Sequence, residues 1–367
     1  MRISYLFNSS TPSSNPGSIQ VVNTCNGIAS LGHKILIITP GTGEKTTLKK
    51  FYGIENNVQL KKIKYFKKFP LGISYYLFSF VSILYAIHLK TEVFITRNFF
   101  TLILLNIFKK KTIIEVHHDL NSEGRLVRYL FKKFNIFNKR NIIKIIAITN
   151  EVKKFLIKSY NIPSSKIETI PSASGLKFKF RKFKKKKKYN LGYFGSLNYT
   201  KGSSFILKLS KIDKENNYFI FGGSKKEVFE LKKINTAKNL KISCSLPYGK
   251  IKNYISKMDI LLLPSNLKKI YSLGNIGNIA KYTSPLKLFD YMSSGRLIIS
   301  SNVKVYKEIL ENKKNCILIN NLKAESWKKI IMGLTNRIMY VNFLKKNAYN
   351  DSKKFTYQKR AEKLLKF

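Results

Sequence analysis

Acidic residues are scarce in this sequence. Its 367 residues include 69 Lys and Arg against 19 Asp and Glu, which gives a formal net charge of +50 at pH 7. A field of this sign attracts polyanions such as nucleic acids, anionic membranes and phosphorylated substrates. Lysine-rich codon usage is an alternative account of the lysine excess. Arginine, whose planar fork reads guanine edges, is rare here, so no nucleic-acid partner is expected.

Cysteine is also scarce. Cys25, Cys244 and Cys316 lie far apart in the chain, which excludes a disulfide framework and a zinc-binding spacing. Three free thiols are typical of a reducing compartment, so a cytoplasmic protein is expected. The chain has no Asp-x-Asp sequence that would hold Mg²⁺ or Mn²⁺ on paired carboxylates. Neither a metal nor an organic cofactor is therefore expected.

Long uncharged runs are rare, and the N-terminal apolar run is too short for a signal peptide. The exception is the stretch from Phe69 to Leu89, which is long enough to span a bilayer. Gly72, several serines and tyrosines, and His88 interrupt it, and a strand-like TEVFITRN follows at once. We expect a helix of a globular domain that is buried or faces a membrane. A transmembrane helix is the alternative.

Ten apolar runs have the length and composition of buried parallel strands, and helix-length segments separate them. They are RISYLF, KILIITP, EVFITR, KTIIEVHH, KIIAITN, NLGYFGSL, NYFIFGG, DILLLPS, RLIISSN and CILI. Alternating strands and helices predict an α/β fold with doubly wound parallel sheets and helices on both faces. The chain is longer than one core usually supports, so two domains are expected.

The densest charge run, GLKFKFRKFKKKKKYN, separates the two sets of strands. Like charges repel one another, so this run is predicted to be a linker, with a functional basic patch as the alternative. The predicted organisation is an N-terminal domain over 1–175, a basic linker over 176–189 and a C-terminal domain over 190–350. The remaining 351–367 is expected to form a C-terminal helix.

Two short segments of the N-terminal half follow predicted strands. SSTPSSNPGSIQ offers a small-residue loop before a helix that is predicted to begin near Ser18 and to stop near Gly32. Backbone N–H groups at such a helix start suit a phosphate, and Gly17 is the point of closest approach. TIIEVHHDL places His117 and His118 at a strand end, where ligands of such sheets bind. An ordinary turn and structural histidines are the alternatives.

Two further segments lie in the C-terminal half. In YFGSLNYTKGS a strand ends before Gly195, and Lys201 follows near the next helix, where it could add charge to an anion site. In SPLKLFDYMSSG, Ser284 is a predicted N-cap and Pro285 a first-turn residue, and Gly295 is placed to end the helix.

Asp290 lies in the middle of that second predicted helix, where aspartate is a mediocre helix former. A surface pair with Lys287, one helical turn away, would explain it and contribute about 0.2–0.5 kcal/mol. The sharper hypothesis is that Asp290 accepts hydrogen bonds from a ribose diol while the helix start faces a diphosphate.

Together these segments resemble glycosyltransferase family 4, the retaining sugar-nucleotide-dependent enzymes of GT-B architecture. SPLKLFDYMSSGRLIISSN is the most specific part. PYGKIKNYISKMDILLLPS, EVFITRN, IIAITNEVKKFLIKSYNIPSSKIETIPS and GIASLGHKILIITP match in order and spacing. The resemblance implies two Rossmann-like domains facing a cleft, a donor held mostly by the C-terminal domain, and no metal requirement. It also implies that the final helix crosses back to the N-terminal domain.

Site residues carry over by position. Asp290 matches the second Glu of the family's Glu-x7-Glu signature and would bind the donor ribose, whereas the first Glu falls on Tyr282. Lys201 matches the phosphate-binding lysine, and the companion arginine falls on Ser196. His117 matches the family's histidine near the donor sugar, and His118 is the alternative. The donor-binding set is completed by Gly17, Ser284, Pro285, Leu286 and Lys287.

The resemblance implies a metal-independent, hexosyltransferase-type enzyme. It would move a sugar from a nucleotide-diphosphate sugar to a glycan or lipid-linked acceptor of a bacterial polysaccharide, lipopolysaccharide or glycolipid. The lysine excess and the apolar 69–89 segment favour a peripheral position on the inner, anionic face of the cytoplasmic membrane. Alternatives are a sugar-nucleotide epimerase of the same fold, which the acid-poor candidate sites disfavour, a polyanion-binding protein, and a non-catalytic family member.

Overall fold

The computed structural model describes residues 1–43, 47–64, 71–120, 123–271 and 277–367. The chain divides into two compact units. The N-terminal unit comprises Met1–Ala173 together with Tyr357–Phe367, and the C-terminal unit comprises Ser174–Thr356. Each unit is an α/β unit built on one parallel sheet.

The N-terminal unit contains a seven-stranded sheet. Its strands are β1 (Arg2–Leu6), β2 (Lys34–Pro40), β3 (Gln59–Ile63), β4 (Val93–Thr96), β5 (Thr112–Val116), β6 (Ile142–Ala147) and β7 (Ile167–Thr169). All pairs are parallel, in the order β3-β2-β1-β4-β5-β6-β7. The order reverses between β1 and β4, and ligands of such sheets bind at the strand ends beside this reversal.

Helices connect these strands and supply much of the core. They are α1 (Pro16–Ser30), α2 (Leu48–Tyr52), α3 (Leu71–His88), α4 (Phe99–Ile107), α5 (Arg125–Lys133) and α6 (Asn150–Tyr160). Buried side chains of α3 and α4, among them Phe78, Ile83 and Leu105, pack on Leu6 and Phe94 of the central strands. In the described part of the chain no helix, α3 included, is long and apolar enough to cross a membrane.

The C-terminal unit contains a six-stranded sheet. Its strands are β8 (Asn190–Phe194), β9 (Asn217–Phe221), β10 (Leu240–Ser243), β11 (Ile260–Leu263), β12 (Leu297–Ser301) and β13 (Ile317–Ile319). They are parallel, in the order β10-β9-β8-β11-β12-β13. The reversal here lies between β8 and β11, so the segments after β8 and β11 begin at the favoured ligand edge.

The helices of this unit are α7 (Ser203–Ile212), α8 (Lys225–Lys233), α9 (Tyr248–Ile255), α10 (Leu286–Ser294), α11 (Ala324–Thr335) and α12 (Ile338–Ser352). Its core surrounds the fully buried Trp327, which packs edge-on against Phe205. The last helix of the chain, α13 (Tyr357–Leu365), belongs to the N-terminal unit and packs on α1. Gly27 permits this contact, since a side chain there would collide with the backbone of Tyr357.

The predicted α/β fold with two Rossmann-like sheets is confirmed, and all ten predicted strands are present. The sequence pattern did not predict three of the observed strands, β3, β7 and β10. Each of them lies at an edge of its sheet. Their sequences, QLKKI, IET and LKIS, mix polar with apolar residues. An edge strand pairs on one side only and is partly exposed, so it can lack the continuous apolar run of a central strand, as these three do, whereas the edge strand β13 keeps one.

Segments between the sheets differ in detail from their predictions. Within the predicted linker 176–189 no helix or strand forms, yet Phe183 is buried and stacks on Tyr189 with ring centroids 5.0 Å apart. Helix α1 begins at Pro16 with Asn15 as its N-cap, so the predicted start near Ser18 is wrong by two residues. The Asn15 side chain accepts from the Gly17 N–H, and a proline at the first position favours this earlier start.

Candidate active site

The C-terminal candidate site begins where β8 ends. Gly195 follows the strand with φ of 153°, a conformation that side chains disfavour, and its N–H continues the ladder to Phe221 O at 2.9 Å. The buried hydroxyl of Tyr193 donates to the carbonyl oxygen of Ser196 at 2.7 Å. The turn that carries Ser196 is therefore held by the strand that precedes it.

Lys287 enters this turn from the first turn of α10. Its Nζ lies 3.9 Å from the centroid of the Tyr193 ring, and a Cβ on Gly195 would lie only 3.2 Å from the same nitrogen. Nζ is buried and has no hydrogen-bond partner among the described residues. Burial, and then the charge of Lys201, hold the pKa of Lys287 well below its usual range.

Lys201 and Ser196 complete this group, which we call the lysine pair site (Ser196, Lys201, Lys287). Lys201 ends a short 3₁₀ turn at Tyr199–Lys201, and burial lowers its pKa. The Ser196 hydroxyl is buried and, within the described ranges, also lacks a hydrogen-bond partner. Two neighbouring cations and a free hydroxyl donor form a site that is complementary to an anion with several acceptor oxygens.

The start of α10 adds backbone donors to the same region. The N-cap of this helix is Pro285, and no side chain caps it. The prediction that Ser284 is the N-cap is therefore wrong by one residue, because the helix begins at Leu286. The predicted stop is confirmed, since Gly295 is the C-cap with φ of 58°. Uncapped N–H groups and the helix dipole favour an anion at this end.

Asp290 lies on the same helix but in a different environment. It is 5% exposed, and its Oδ1 accepts from Ser174 Oγ at 2.6 Å and from Tyr248 OH at 2.8 Å. Burial raises the pKa of Asp290 to about 7. The surface pair with Lys287 is wrong, because Asp290 is buried against two hydroxyls. Its assignment to ribose stays a prediction, and its Oδ1 already accepts hydrogen bonds from two hydroxyl groups.

Tyr282 stands in the turn between Ile279 and the start of α10. Its backbone N–H donates to Ile279 O at 2.9 Å, and its side chain is partly buried. The position that would carry the first Glu of the family's signature therefore lies in a hydrogen-bonded turn but carries no carboxylate.

The N-terminal candidate site lies at the ends of β1, β4 and β5. Gly17 is in the first turn of α1, and the guanidinium of Arg97, which follows β4, lies 3.5 Å from the Gly17 carbonyl oxygen. Sequence reasoning had missed Arg97 as a site residue. Its signal was available, because an arginine directly after a central strand lies at the ligand edge of the sheet.

The paired histidines take different environments. His117 places Nε2 3.4 Å from Glu115 Oε2, and burial together with the charge of Arg97 lowers the pKa of His117 to about 3. His118 places Nδ1 2.6 Å from the carbonyl oxygen of Asp119, and its ring meets Phe99 edge-on. His117 is therefore neutral at physiological pH and lies in the group that contains Arg97.

Glu115 is a second residue that sequence reasoning missed. It is 1% exposed on β5 and accepts from Arg360 Nη2 at 2.7 Å and from Tyr5 OH at 3.1 Å. Burial alone would raise its pKa, but Arg360, His117 and Arg97 together hold the pKa of Glu115 well below its usual range. A glutamate inside the apolar run TIIEV was the available signal, since a buried acid requires a partner.

Two observations concern metals and thiols. Among the residues that the structure describes, no group of three or more His, Cys, Asp or Glu is arranged to hold a metal ion. The three cysteines are free thiols, with Cys25 and Cys316 buried.

Sequence comparison identifies both halves of the chain. The model of the family described as Glycosyl transferases group 1 matches residues 176–351, and that of Glycosyltransferase Family 4 matches residues 17–173. The two matches together span nearly the whole chain. No curated protein sequence matches.

Several solved structures share the fold over nearly the full length of both chains. Sucrose-phosphate synthase from Thermosynechococcus elongatus superposes with a TM-score of 0.73 at 12% identity, covering 99% of this chain and 97% of the other. HepE from Anabaena in complex with UDP-glucose gives 0.69 at 12%, covering 98% of each chain. WaaG, a glycosyltransferase involved in lipopolysaccharide biosynthesis, gives 0.64 at 11%, covering 100% of each. At these identities the likeness establishes the GT-B fold.

Proposed function

The chain belongs to the group 1 and family 4 glycosyltransferases, and on that premise we propose that it moves a sugar from a nucleotide-diphosphate sugar to a glycan or lipid-linked acceptor. The reaction would retain the anomeric configuration and need no metal, as the family resemblance implies. The acceptor would belong to a bacterial polysaccharide, lipopolysaccharide or glycolipid.

The lysine pair site is the observation that carries the proposal. Lys287 and Lys201 bring two positive charges together, and within the described chain no anion or acceptor meets Lys287 Nζ. An unpaired buried charge is costly, so such an arrangement is retained where a ligand supplies the opposite charge. A diphosphate matches it in charge and in number of acceptors, and the start of α10 adds backbone N–H groups.

The same site would stabilise the leaving group. As the bond between the sugar and the diphosphate breaks, negative charge develops on the diphosphate oxygens. Lys201 and Lys287 are held in place by burial and by the ring of Tyr193, so they would stabilise that charge with little reorganisation. Asp290 would bind the donor ribose, and the ribose hydroxyls would then replace Ser174 or Tyr248 at its Oδ1.

The proposal is tested by thermal shift with a panel of nucleotide-diphosphate sugars and with UDP. A bound donor raises the melting temperature by mass action. We expect at least one donor to stabilise the wild-type protein and to stabilise Lys287→Met much less at the same donor concentration. Lys208→Met removes an exposed lysine of α7 and is the matched control. If Lys287→Met is stabilised as much as this control, the lysine pair site does not bind the diphosphate.

We further propose that the N-terminal unit works at an anionic membrane surface. Ile73, Tyr76, Phe80 and Leu84 form an exposed stripe with helical spacing along α3. Helices α3, α4 and α5 contain no acidic residue, while α5 carries two arginines and two lysines. An apolar stripe beside basic residues is complementary to acyl chains below anionic headgroups. A lipid-linked acceptor would be met at that surface, on the inner face of the cytoplasmic membrane.

Flotation with liposomes tests this part separately. The wild-type protein should float with vesicles that contain phosphatidylglycerol, and float less with vesicles of phosphatidylcholine alone. Replacing Phe80 and Leu84 by serine should reduce flotation, whereas Phe229→Ser, at an exposed aromatic of α8, should not. Equal flotation of the two variants would refute α3 as the membrane-facing surface.

A further inference from the structure

Glu115 is an acid on a central strand of the N-terminal sheet. Its Oε1 accepts from Arg360 at 2.7 Å, while its Oε2 lies 3.1 Å from Tyr5 OH and 3.4 Å from His117 Nε2. One carboxylate therefore contacts both the final helix of the chain and the candidate catalytic histidine. Its two oxygens divide these contacts between them.

Arg360 reaches this carboxylate from α13. It is 3% exposed, and its Nη1 donates to the carbonyl oxygens of Ile170 and Pro171 at 2.7 Å each. Its Nε lies 3.4 Å from Thr24 Oγ1 on α1. The planar guanidinium thus uses its donors in several directions at once, which the single ammonium group of lysine could not reproduce.

The charged and titratable groups around the Glu115–His117 pair come from four elements and from the segment after β4. They are Glu115 on β5, Arg97 after β4, Tyr5 on β1, Cys25 on α1 and Arg360 on α13. Of these, Arg97 and Arg360 oppose a proton on His117, and Glu115 favours one. Because Glu115 remains ionised beside Nε2, a neutral ring has its proton on Nε2, and Nδ1 is left as the acceptor.

Resting on the proposed function, in which His117 would stand near the donor sugar as the family resemblance implies, we propose that Arg360 is a positioning residue that acts through Glu115. It holds the Glu115 carboxylate ionised and oriented, so that the neutral His117 ring carries its proton on Nε2. The final helix of the chain thereby determines which nitrogen of His117 accepts a hydrogen bond.

A purely structural role for Arg360, as an anchor of α13, makes a different prediction. Lys144 on β6 also anchors α13 to the sheet, because its Nζ donates to the carbonyl oxygens of Lys363 and Lys366 at 2.5 and 2.7 Å. Lys144 is not among the groups that shift His117. A variant at Lys144 therefore loosens α13 without removing a charge from the His117 environment, and it is the matched control.

The test is a pH titration of the full-length protein labelled with ¹⁵N-histidine. The chain has four histidines, so the imidazole signals can be assigned by substitution. In the wild type we expect His117 to stay neutral, with the proton on Nε2, down to about pH 4, since its pKa is lowered to about 3. In Arg360→Gln the pKa should rise by about 1–3 units, because a nearby positive charge is lost. Lys144→Gln should leave it unchanged.

Two results would overturn the proposal. One is an unchanged His117 titration in folded Arg360→Gln, and the other is an equal shift in Lys144→Gln. If Arg360→Gln does not fold, Glu115→Leu with Arg360→Met replaces the pair by apolar side chains, which is often neutral for stability. His117 should then show a mixture of both tautomers, and retention of Nε2–H alone would refute the role of the pair.

The pKa and the tautomer of His117 can both be measured without sugar transfer. If no nucleotide sugar binds but the Arg360 effect is seen, the positioning holds and the proposed function fails. If donors bind and Arg360→Gln leaves His117 unchanged, the proposed function holds and the positioning fails. In an active enzyme, the lower limb of the pH profile should also move upward in Arg360→Gln.

Discussion

The two candidate sites differ in how their charges are matched. In the C-terminal unit, Lys287 and Lys201 bring like charges together, and in the described chain no side chain bonds to Lys287 Nζ. In the N-terminal unit, Glu115 and Arg360 form a buried pair whose polar atoms contact neighbouring hydroxyl and carbonyl groups. The unmatched charges are arranged to bind a ligand, whereas the matched charges hold a neighbouring residue in place.

The largest effect should come from breaking the matched pair. Arg360→Ala leaves Glu115 buried without its cation, and such a change typically costs about 3–5 kcal/mol of stability. Chemical denaturation of the N-terminal unit should show this loss. Glu115→Leu with Arg360→Met should recover most of it, because no charge is then left unpaired. A single-variant loss below about 1 kcal/mol would mean that the pair is not truly buried.

A substitution in the lysine pair site should change the stability of the ligand-free protein in the opposite direction. Lys287→Met removes an amino group that the folded protein buries without a hydrogen-bond partner, so the ligand-free protein should gain about 1–2 kcal/mol of stability. The same variant should lose donor affinity by about ten- to hundredfold, since a hydrogen bond to a charged group contributes about 1.5–3 kcal/mol. Denaturation without ligand and titration with UDP measure the two effects. A loss of stability would show that Lys287 is satisfied in the free protein.

Asp290 should make the stability of the C-terminal unit depend on pH. Its pKa is raised to about 7 in the folded state, so folding favours the protonated form. Its contribution is fully present below the unfolded pKa of about 3.9 and is lost as the pH rises through about 7. Asp290→Asn keeps an acceptor for Ser174 and Tyr248, and should flatten the stability profile between about pH 4 and pH 7. An unchanged slope would assign the pH dependence to another group.

The smallest effect is expected at Gly195. An alanine there would adopt an unfavourable φ and place its Cβ 3.2 Å from Lys287 Nζ. We expect a stability loss of about 1 kcal/mol and a modest loss of donor affinity, because the lysine must shift. Gly333→Ala, inside α11 with open space around it, is the control and should stabilise slightly. Equal behaviour of both variants would show that Gly195 does not constrain the site.

Much of the fold followed from sequence pattern alone. Central strands are buried on both faces, so their apolar runs were found, while the mixed edge strands β3, β7 and β10 were not. The N-cap positions were misplaced by three residues and by one, because Ser18 and Ser284 are good N-cap types but Asn15 and Pro285 take those places. Local propensity indicates which residue types make good N-caps. Which of several neighbouring candidates becomes the N-cap depends on the tertiary structure.

The sequence pointed to some residues of the candidate sites and missed others, for a related reason. Lys201, Lys287 and Ser196 lie in two segments that follow or precede strands, and in the structure Lys287 Nζ lies beside Gly195 and within the electrostatic influence of Lys201. Their donor-binding role stays a prediction. Arg97 and Glu115 were missed, because their importance depends on neighbours distant in sequence. Arg360 was not a candidate at all, since it lies 245 residues from the carboxylate that it contacts.

By itself, the sequence determined the periodic pattern of buried strands, the excess of positive charge and the glycine that ends α10, because each depends on local residue chemistry. Only the tertiary structure decided which charges are paired. It placed Asp290 against two hydroxyls rather than beside Lys287, and it joined Glu115 to the last helix of the chain. The energy of a charge depends on its burial and on the groups within a few ångströms, and these are set by the fold.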